Sequence, residues 1–280
     1  MCDYSDLLKA RKSLWLSPSR AQVSIARDEI AKLKSINQKI AAYEFVRSQE
    51  VECVEHRMYP NIRLVPAENL APDFVIKPAN GHSSAGVFVL SALPTGAYRC
   101  HMTEQIFASF AEVVSAFESE FARKPHSIRG CEVLVEELVR DSQGFAVPLD
   151  YKVYSFLTGA PIVMQRYAPR YLPKSKWAFA FYDEQGNDLG PIRASTARNP
   201  QITLNPPHNL DEMFWISRKL VQAAHVSFMR VDLYSTKAGI KFGEFTAIPN
   251  AAKEYFVDDY ERILGNYWSD SLKILGISYS

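Results

Sequence analysis

Apolar positions along the chain recur at two spacings. From 21 to 49 they fall near every 3.6 residues, at Val23, Ile30, Leu33, Ile36 and Ile40, which predicts one helix. Residues 1–20 hold mixed charges and one proline and read as a loosely docked lead-in. After breakers at Pro60, Pro66 and Pro72, the runs FVIK (74–77) and VFVL (87–90) read as strands around a small-residue loop. Ile106, Phe110, Val113, Phe117 and Phe121 form a second helical stripe, with Thr103 as its expected N-cap. EVLVEELV (132–139) reads as a buried strand. DYKVYSFL and PIVMQRY read as a hairpin around residues 158–161, and WAFAFYD (177–183) as a further strand. A helix opens at Asn209 with Glu212 in capping-box position. SFMRVDLY (227–234) and GIKFGEFT (239–246) are strands, and a helical tail closes the chain. Strands that do not alternate regularly with helices predict an α+β fold with antiparallel sheets.

Composition narrows the classes. The chain has 280 residues, 47% hydrophobic and 22% charged, so it can bury a core and is not disordered. The net charge of +1 argues against a general nucleic-acid binder. No apolar run is long enough to span a membrane, and the first residues lack the apolar core of a secretory signal. Cys2, Cys53, Cys100 and Cys131 are scattered, without zinc-site spacing, and read as reduced thiols. A cytoplasmic location is the expectation. Only 12 glycines are present, so their positions carry information.

The 227–246 segment is the richest. Residues two apart on a strand share a face, so Arg230 and Asp232 face one way and Met229, Val231 and Leu233 the other. A symmetric hairpin that pairs Tyr234 with Ile240 sets Asp232 and Glu244 on one face, one diagonal step apart, within roughly 5–8 Å. A slip of one residue puts them on opposite faces. Two close carboxylates repel unless a cation or proton lies between them, and magnesium carrying phosphates suits oxygen ligands of this kind. Arg230 on the same face is a fork donor for a transferring phosphoryl group. The bland alternative is a solvated salt bridge, worth about 0–1 kcal/mol.

Other pieces carry weaker signals. Lys77 ends an apolar strand and is followed by Gly81-His82-Ser83-Ser84-Ala85-Gly86, small residues whose backbone can approach phosphate; a plain hairpin turn is the alternative. Glu136 and Glu137 end the strand EVLVEELV, where an adenine slot or a solvated strand end both fit. Asp150 and Lys152 share a strand face, as ribose and phosphate contacts or as a charge pair. Arg166 and Arg170, with Lys174 and Lys176, read as cations for an anionic acceptor or as a solvated basic loop. Tyr167, Tyr171 and Trp177 beside them are able to stack on an acceptor or simply pack.

In this order, the pieces resemble the ATP-grasp superfamily. FVIKPANGHSSAG is similar to its strand–lysine–small-residue loop–strand element, EVLVEELV to its hinge strand, and RVD with Glu244 twelve residues after Asp232 to its arginine and two magnesium carboxylates. NQKIAAYEFV (37–46) is similar to its helix with an Asp-Lys pair, Gln38 standing in the aspartate's place. MRVDLYSTKAGIKFGEFTAIPN, with PLDYKVYSFLTGAP and NLDEMFWISRKL before it, resembles the branch found in teichuronopeptide and related surface-polymer biosynthesis.

The resemblance implies two α+β subdomains whose antiparallel sheets sandwich a nucleotide. It implies a helical lead-in at 1–34 and an ATP-grasp domain at 35–280, with the phosphate-loop subdomain at about 70–135 and the metal-binding subdomain at about 136–265. It implies that Lys39 and Lys77 contact ATP phosphates, that Ser83, Ser84 and Gly86 form the covering loop, and that Glu136, Glu137 and Val139 hold adenine. Asp150 and Lys152 then touch ribose and phosphate. Asp232 and Glu244 bind magnesium, with Thr246 where many relatives carry asparagine and Asn250 as a substitute. Arg230 is the catalytic cation, and Arg166 and Arg170 meet substrate.

The activity implied is ATP- and Mg-dependent joining of a small-molecule, peptide or sugar carboxylate to an amine through an acyl phosphate. A phosphotransferase, a nucleotide-binding module without turnover and a nucleotide-free interaction domain are the alternatives. The superfamily's preceding subdomain has no counterpart within residues 1–34, which raises the expectation of a homodimer that completes the acceptor pocket.

Overall fold

The structure is a computed structural model that describes residues 2–17, 24–81, 86–123, 128–193 and 201–279. Two compact units emerge from its contacts. One comprises Met1–Cys53, Leu149–Tyr167 and Ser175–Ser280; the other comprises Val54–Pro148 and Ala168–Lys174. These boundaries differ from those expected. Residues 1–53 belong with the C-terminal unit, and the hinge strand belongs with the phosphate-loop unit.

The Val54–Pro148 unit is built on a six-stranded antiparallel sheet in the order β1-β6-β2-β3-β4-β5. Its strands are β1 (His56–Tyr59), β2 (Asp73–Gly81), β3 (Phe88–Ala92), β4 (Tyr98–Cys100), β5 (Ile106–Phe107) and β6 (Ile128–Glu137). Alternation sends Phe74, Ile76, Phe88 and Leu90 to one face. There Phe88 meets Phe117 of α4 (Phe110–Arg123), ring centroids 5.6 Å apart. Helix α4 starts at Phe110, not near Thr103. Ile106 instead pairs with Arg99 in the β4–β5 ladder and is exposed. A cross-strand pairing thus overrides the helical spacing.

The other unit is built on the five-stranded antiparallel sheet β11-β10-β7-β8-β9. Its strands are β7 (Asp150–Phe156), β8 (Gly159–Tyr167), β9 (Ala178–Tyr182), β10 (Phe228–Thr236) and β11 (Gly239–Thr246). Helix α5 (Leu210–Ala224) packs on β7, β8 and β10. Asn209 precedes α5 without capping it; its Oδ1 accepts from Ser235 Oγ at 2.8 Å. The single helix expected over 21–49 is two, α2 (Ser24–Ile36) and α3 (Lys39–Ser48), parted at Asn37 and Gln38.

The lead-in is not loosely docked. Helix α1 (Tyr4–Leu16) buries Tyr4, Leu8 and Arg11 completely and packs on α6 (Asp258–Leu275). Tyr4 meets Phe228, Phe256 and Trp268 at centroid distances of 5.5–5.6 Å. The mixed charges at 1–20 hide an apolar stripe, and the aromatic surface it covers is set by distant residues.

The β10–β11 register is decided by one glycine. At the turn, Ser235 pairs with Ile240 and Tyr234 with Lys241, one residue away from the register expected. Continued regularly, that ladder puts Asp232 and Glu244 on opposite faces. A bulge between Asp232 and Leu233 restores them: Leu233 pairs with Phe242 and Asp232 directly with Glu244, leaving Gly243 as the extra residue. A Cβ on Gly243 would stand 2.9 Å from a Tyr234 ring carbon and 3.2 Å from the Asp232 carbonyl oxygen. Gly243→Val is therefore expected to destabilise the protein by about 1–3 kcal/mol in urea unfolding; unchanged stability would show that the bulge tolerates a side chain.

Candidate functional site

One face of the five-stranded sheet changes character along its strands. Register places Phe228 opposite Phe156, Arg230 opposite Tyr154 and Asp232 opposite Lys152. Directly paired residues share a face, so this face is aromatic at one end and charged at the other. The aromatic end lies under Trp268, 4.6 Å from Phe228 between centroids. The charged end gathers Asp150, Lys152, Arg166, Arg230, Asp232, Glu244 and Thr246.

Asp232 is buried and gripped from two sides. Arg230 donates from Nε to Oδ1 and from Nη2 to Oδ2, both at 2.7 Å, and Lys152 Nζ reaches Oδ2 at 2.5 Å. Arg230 Nη2 also donates to Thr246 Oγ1 at 2.9 Å. Asp150 accepts from Arg166 Nε at 2.9 Å and has Lys152 at 3.6 Å. Burial alone would raise both carboxyls. Arg230 and then Lys152 overcome it at Asp232, and Lys152 and then Arg166 at Asp150, so both lie below the usual carboxylate value. Burial likewise opposes the charge of Arg230, and Asp232 restores it, holding that guanidinium well above its ordinary value. Glu244, opposite Asp232, is exposed.

In the other unit, Lys77 pairs with Leu134 and reaches diagonally to Glu136 Oε1 at 2.7 Å; only 13% of its side chain is exposed. Glu137 points to the opposite face, where its Oε1 accepts from the Glu55 backbone N–H at 3.2 Å. Val139 is buried just beyond. Glu136 and Glu137 thus send their side chains to opposite faces of β6. Gly86 adopts φ +69°, a left-handed backbone suited to glycine. Ser83 and Ser84 lie outside the described residues.

Several expectations are redirected. Arg170 belongs to the other compact unit, where Nη1 meets Glu120 Oε1 at 3.3 Å, Nη2 bonds the Val87 carbonyl, and the guanidinium carbon lies 5.5 Å from the Phe88 centroid. Helix α4 supplies the anion, the residue before β3 the carbonyl and β3 the ring. Arg166 instead joins the Asp150 end of the charged face and lies 6.0 Å from the Trp177 centroid. Asn250 turns its amide to the Lys253 carbonyl at 2.9 Å. Lys39 opens α3, half-buried, and α3 packs on β11.

The sequence reading passed over Glu254, Arg193 and Tyr154. Glu254 is 1% exposed and pairs with Arg193 at 3.3 Å. Tyr154 lies next to them; burial and then Glu254 push its hydroxyl well above the ordinary value. The alternation Asp150-Lys152-Tyr154 was a signal for Tyr154. Nothing in the sequence links Arg193 to Glu254.

Two antiparallel α+β units, one presenting a strand lysine and the other a carboxylate–arginine sheet face, define an ATP-grasp protein. The TupA-like ATP-grasp sequence profile matches residues 20–269, and the chain belongs to that family. This accords with the resemblance to the teichuronopeptide branch. No curated protein matches by sequence. Among solved structures, the chain is similar to the VanG D-Ala:D-Ser ligase of Enterococcus faecalis, at 16% identity and TM-score 0.53, covering 89% of this chain and 63% of that one. It is also similar to the D-alanine–D-alanine ligase of Bacillus anthracis complexed with ATP, at 14% identity and TM-score 0.51, covering 88% and 68%. A third similarity, to the D-alanine–D-alanine ligase of Helicobacter pylori, has 16% identity and TM-score 0.48 and covers 84% and 58%. The chain thus spans about three-fifths of the length of several structures it matches. At these identities the first two likenesses establish the fold alone. Among the described residues no helix is long and apolar enough to cross a membrane.

The ion pairs fix a pH response. The carboxyls of Asp150 and Asp232 sit below 3.8 when folded and return to it when unfolded. Their stabilisation is therefore complete above about pH 4 and drains away as pH falls through the folded values. Urea unfolding from pH 7 to pH 2.5 should show that decline. Asp150→Asn should be less stable at pH 7 and flatter on the acid side; an acid limb as steep as the native one would contradict this coupling.

Proposed function

We propose that this protein is an ATP- and magnesium-dependent ligase that joins a carboxylate to an amine, in the making of a cell-surface polymer or a peptide product. The observation that carries the reading is Asp232 standing directly opposite Glu244 on a face with Arg230, Lys152 and Thr246. Family membership and the fold shared with two amide-forming ligases support it.

The donor set fits magnesium. That ion takes one or two carboxylates and fills its octahedron with phosphate oxygens and water. Asp232 and exposed Glu244 each offer carboxylate oxygens, and Thr246 a neutral oxygen. Bound there, magnesium would neutralise phosphate charge. The remaining roles fall to side chains. Lys77 and Lys39 are proposed phosphate contacts, Gly86 and the neighbouring Ser83 and Ser84 the covering loop, and Glu136, Glu137 and Val139 the adenine side. Asp150 is proposed to hold ribose, and Lys152 phosphate. Lys77 is held by Glu136 and Lys152 by two aspartates, so each lysine is oriented before ligand arrives.

In the proposed reaction a substrate carboxylate oxygen attacks the γ-phosphorus and the bond to ADP breaks. An amine then attacks the acyl carbon; phosphate leaves and the nitrogen loses a proton. Arg230, gripped at a fixed angle by Asp232, is proposed to meet charge developing on the phosphoryl oxygens, and Arg166 to meet an anionic acceptor. Positioning and charge do the work, so no side-chain nucleophile is required.

Glu244→Ala tests the reading, because an exposed side chain can be removed with little effect on folding. Mg-dependent ATP consumption should fall by about 100-fold, with the melting temperature unchanged; native turnover in the variant would remove Glu244 from the site. Hydroxylamine with candidate carboxylates should yield a hydroxamate. Phosphate passed to a hydroxyl, with no hydroxamate, would make the protein a phosphotransferase.

A further inference from the structure

The bulge at Gly243 raises a question of register. The turn at 237–238 alone specifies a ladder that separates Asp232 from Glu244; the extra residue reunites them. A ladder that shifts midway does not take its whole register from its turn, so contacts at its open end help to set it. The open end lies at Phe228 and Ala247, and helix α1 reaches both.

Arg11 of α1 is wholly buried. Its Nη1 donates to the Phe228 carbonyl at 2.7 Å and to the Ala247 carbonyl at 3.4 Å, tying the first residue of β10 to the residue after β11. Its fork is fixed in turn. Nη2 meets Ser227 Oγ at 2.7 Å and Glu29 Oε1 at 3.3 Å, Nε donates to Tyr279 Oη at 2.9 Å, and the guanidinium carbon lies 4.4 Å from the Trp268 centroid.

The chain that follows is strained. Asn250, Ala251 and Ala252 have φ of 48°, 51° and 61°, three consecutive left-handed residues that carry Cβ atoms. Such backbone persists only where its surroundings impose it. Helix α1 supplies two of the contacts: Lys12 Nζ to the Ala251 carbonyl at 3.0 Å and Tyr4 Oη to Glu254 Oε2 at 3.5 Å. On the other side Asn37 Oδ1 accepts from the Ala247 backbone N–H at 3.1 Å. Helix α1 lies before the stretch matched by the family profile, residues 20–269.

We infer that α1 is a positioning element of the catalytic face: through Arg11, Lys12 and Tyr4 it pins the open end of the β10–β11 pair and the left-handed turn beyond it, and so holds Glu244 and Thr246 in register with Asp232. The inference rests on the proposed metal role of those residues. None of the three α1 side chains is a ligand. Their effect is on the geometry of the ligands, so it shows in the magnesium requirement and leaves intrinsic nucleotide affinity alone.

The test uses the full chain with magnesium and AMP-PNP. Lys12→Ala with Tyr4→Phe keeps the core filled; Arg11→Lys removes the fork, and its melting temperature reports whether it folds. In the double variant, amide exchange at 249–253 should quicken by about threefold to tenfold with other segments unchanged. Half-saturating magnesium for AMP-PNP binding should rise at least about threefold, while affinity at saturating magnesium stays native. Lys12→Arg with native Tyr4 should restore both readouts. Native exchange at 249–253, or faster exchange with a native magnesium requirement, would overturn the inference. If the native protein binds no AMP-PNP at any magnesium concentration, the nucleotide reading itself falls, and with it the catalytic part of this inference; the exchange measurement then still decides whether α1 holds the turn.

Discussion

The compensation of charge around Asp232 is the constraint on which the rest of this structure depends. A buried carboxylate left alone costs several kcal/mol, and its attraction to a partner repays that only when the geometry is good. Here Arg230 lies two residues away on the same strand face and Lys152 directly opposite, so two strands each deliver a cation to one anion. Lys152 is shared with Asp150, which Arg166 binds from the next strand. Three cations around Asp232 and Asp150, namely Arg230, Lys152 and Arg166, thus lock β10, β7 and β8 in relative register. A slip of any one of them would strand a charge on the wrong face.

The same face shows how one sheet supports both stability and chemistry. Its aromatic end, around Phe228, Phe156 and Trp268, is buried by α1 and α6. Its charged end carries Lys152, Arg230 and Asp232, all buried, with Asp150 and Arg166 beside them. The hydrophobic contacts hold the platform, and the ion pairs aim its side chains before any ligand binds. Pre-aimed donors cost no reorganisation when charge develops on a ligand, which is the physical advantage the proposed role of Arg230 would draw from a strand.

Much of the fold was legible from spacing. The strands at 74–77, 87–90 and 150–167 and the helix at 209–224 stand where period-2 and period-3.6 patterns put them. The errors share a cause. Ile106 had helical spacing but found a strand partner in Arg99; Asn209 had capping chemistry but found Ser235; the lead-in read as loosely docked, but its Tyr4 had an aromatic bed waiting at Phe228 and Trp268. Each competing partner is remote in sequence, so no local pattern records it.

The sequence alone determined which chemical groups this protein has and on which local faces they lie. Arg230 and Asp232 are two apart on a strand, as are Asp150 and Lys152, and alternation makes each pair share a face in any tertiary structure. It also determined family membership, because the order of the motifs is a linear property. Only the tertiary structure decided that Glu244 meets Asp232. That pairing needs a bulge at Gly243, room beside the Tyr234 ring and an anchor at the far end of the ladder from a helix more than two hundred residues away. Cross-strand register depends on what holds the two ends of a pair together, and here only the turn lies in the sequence between the strands.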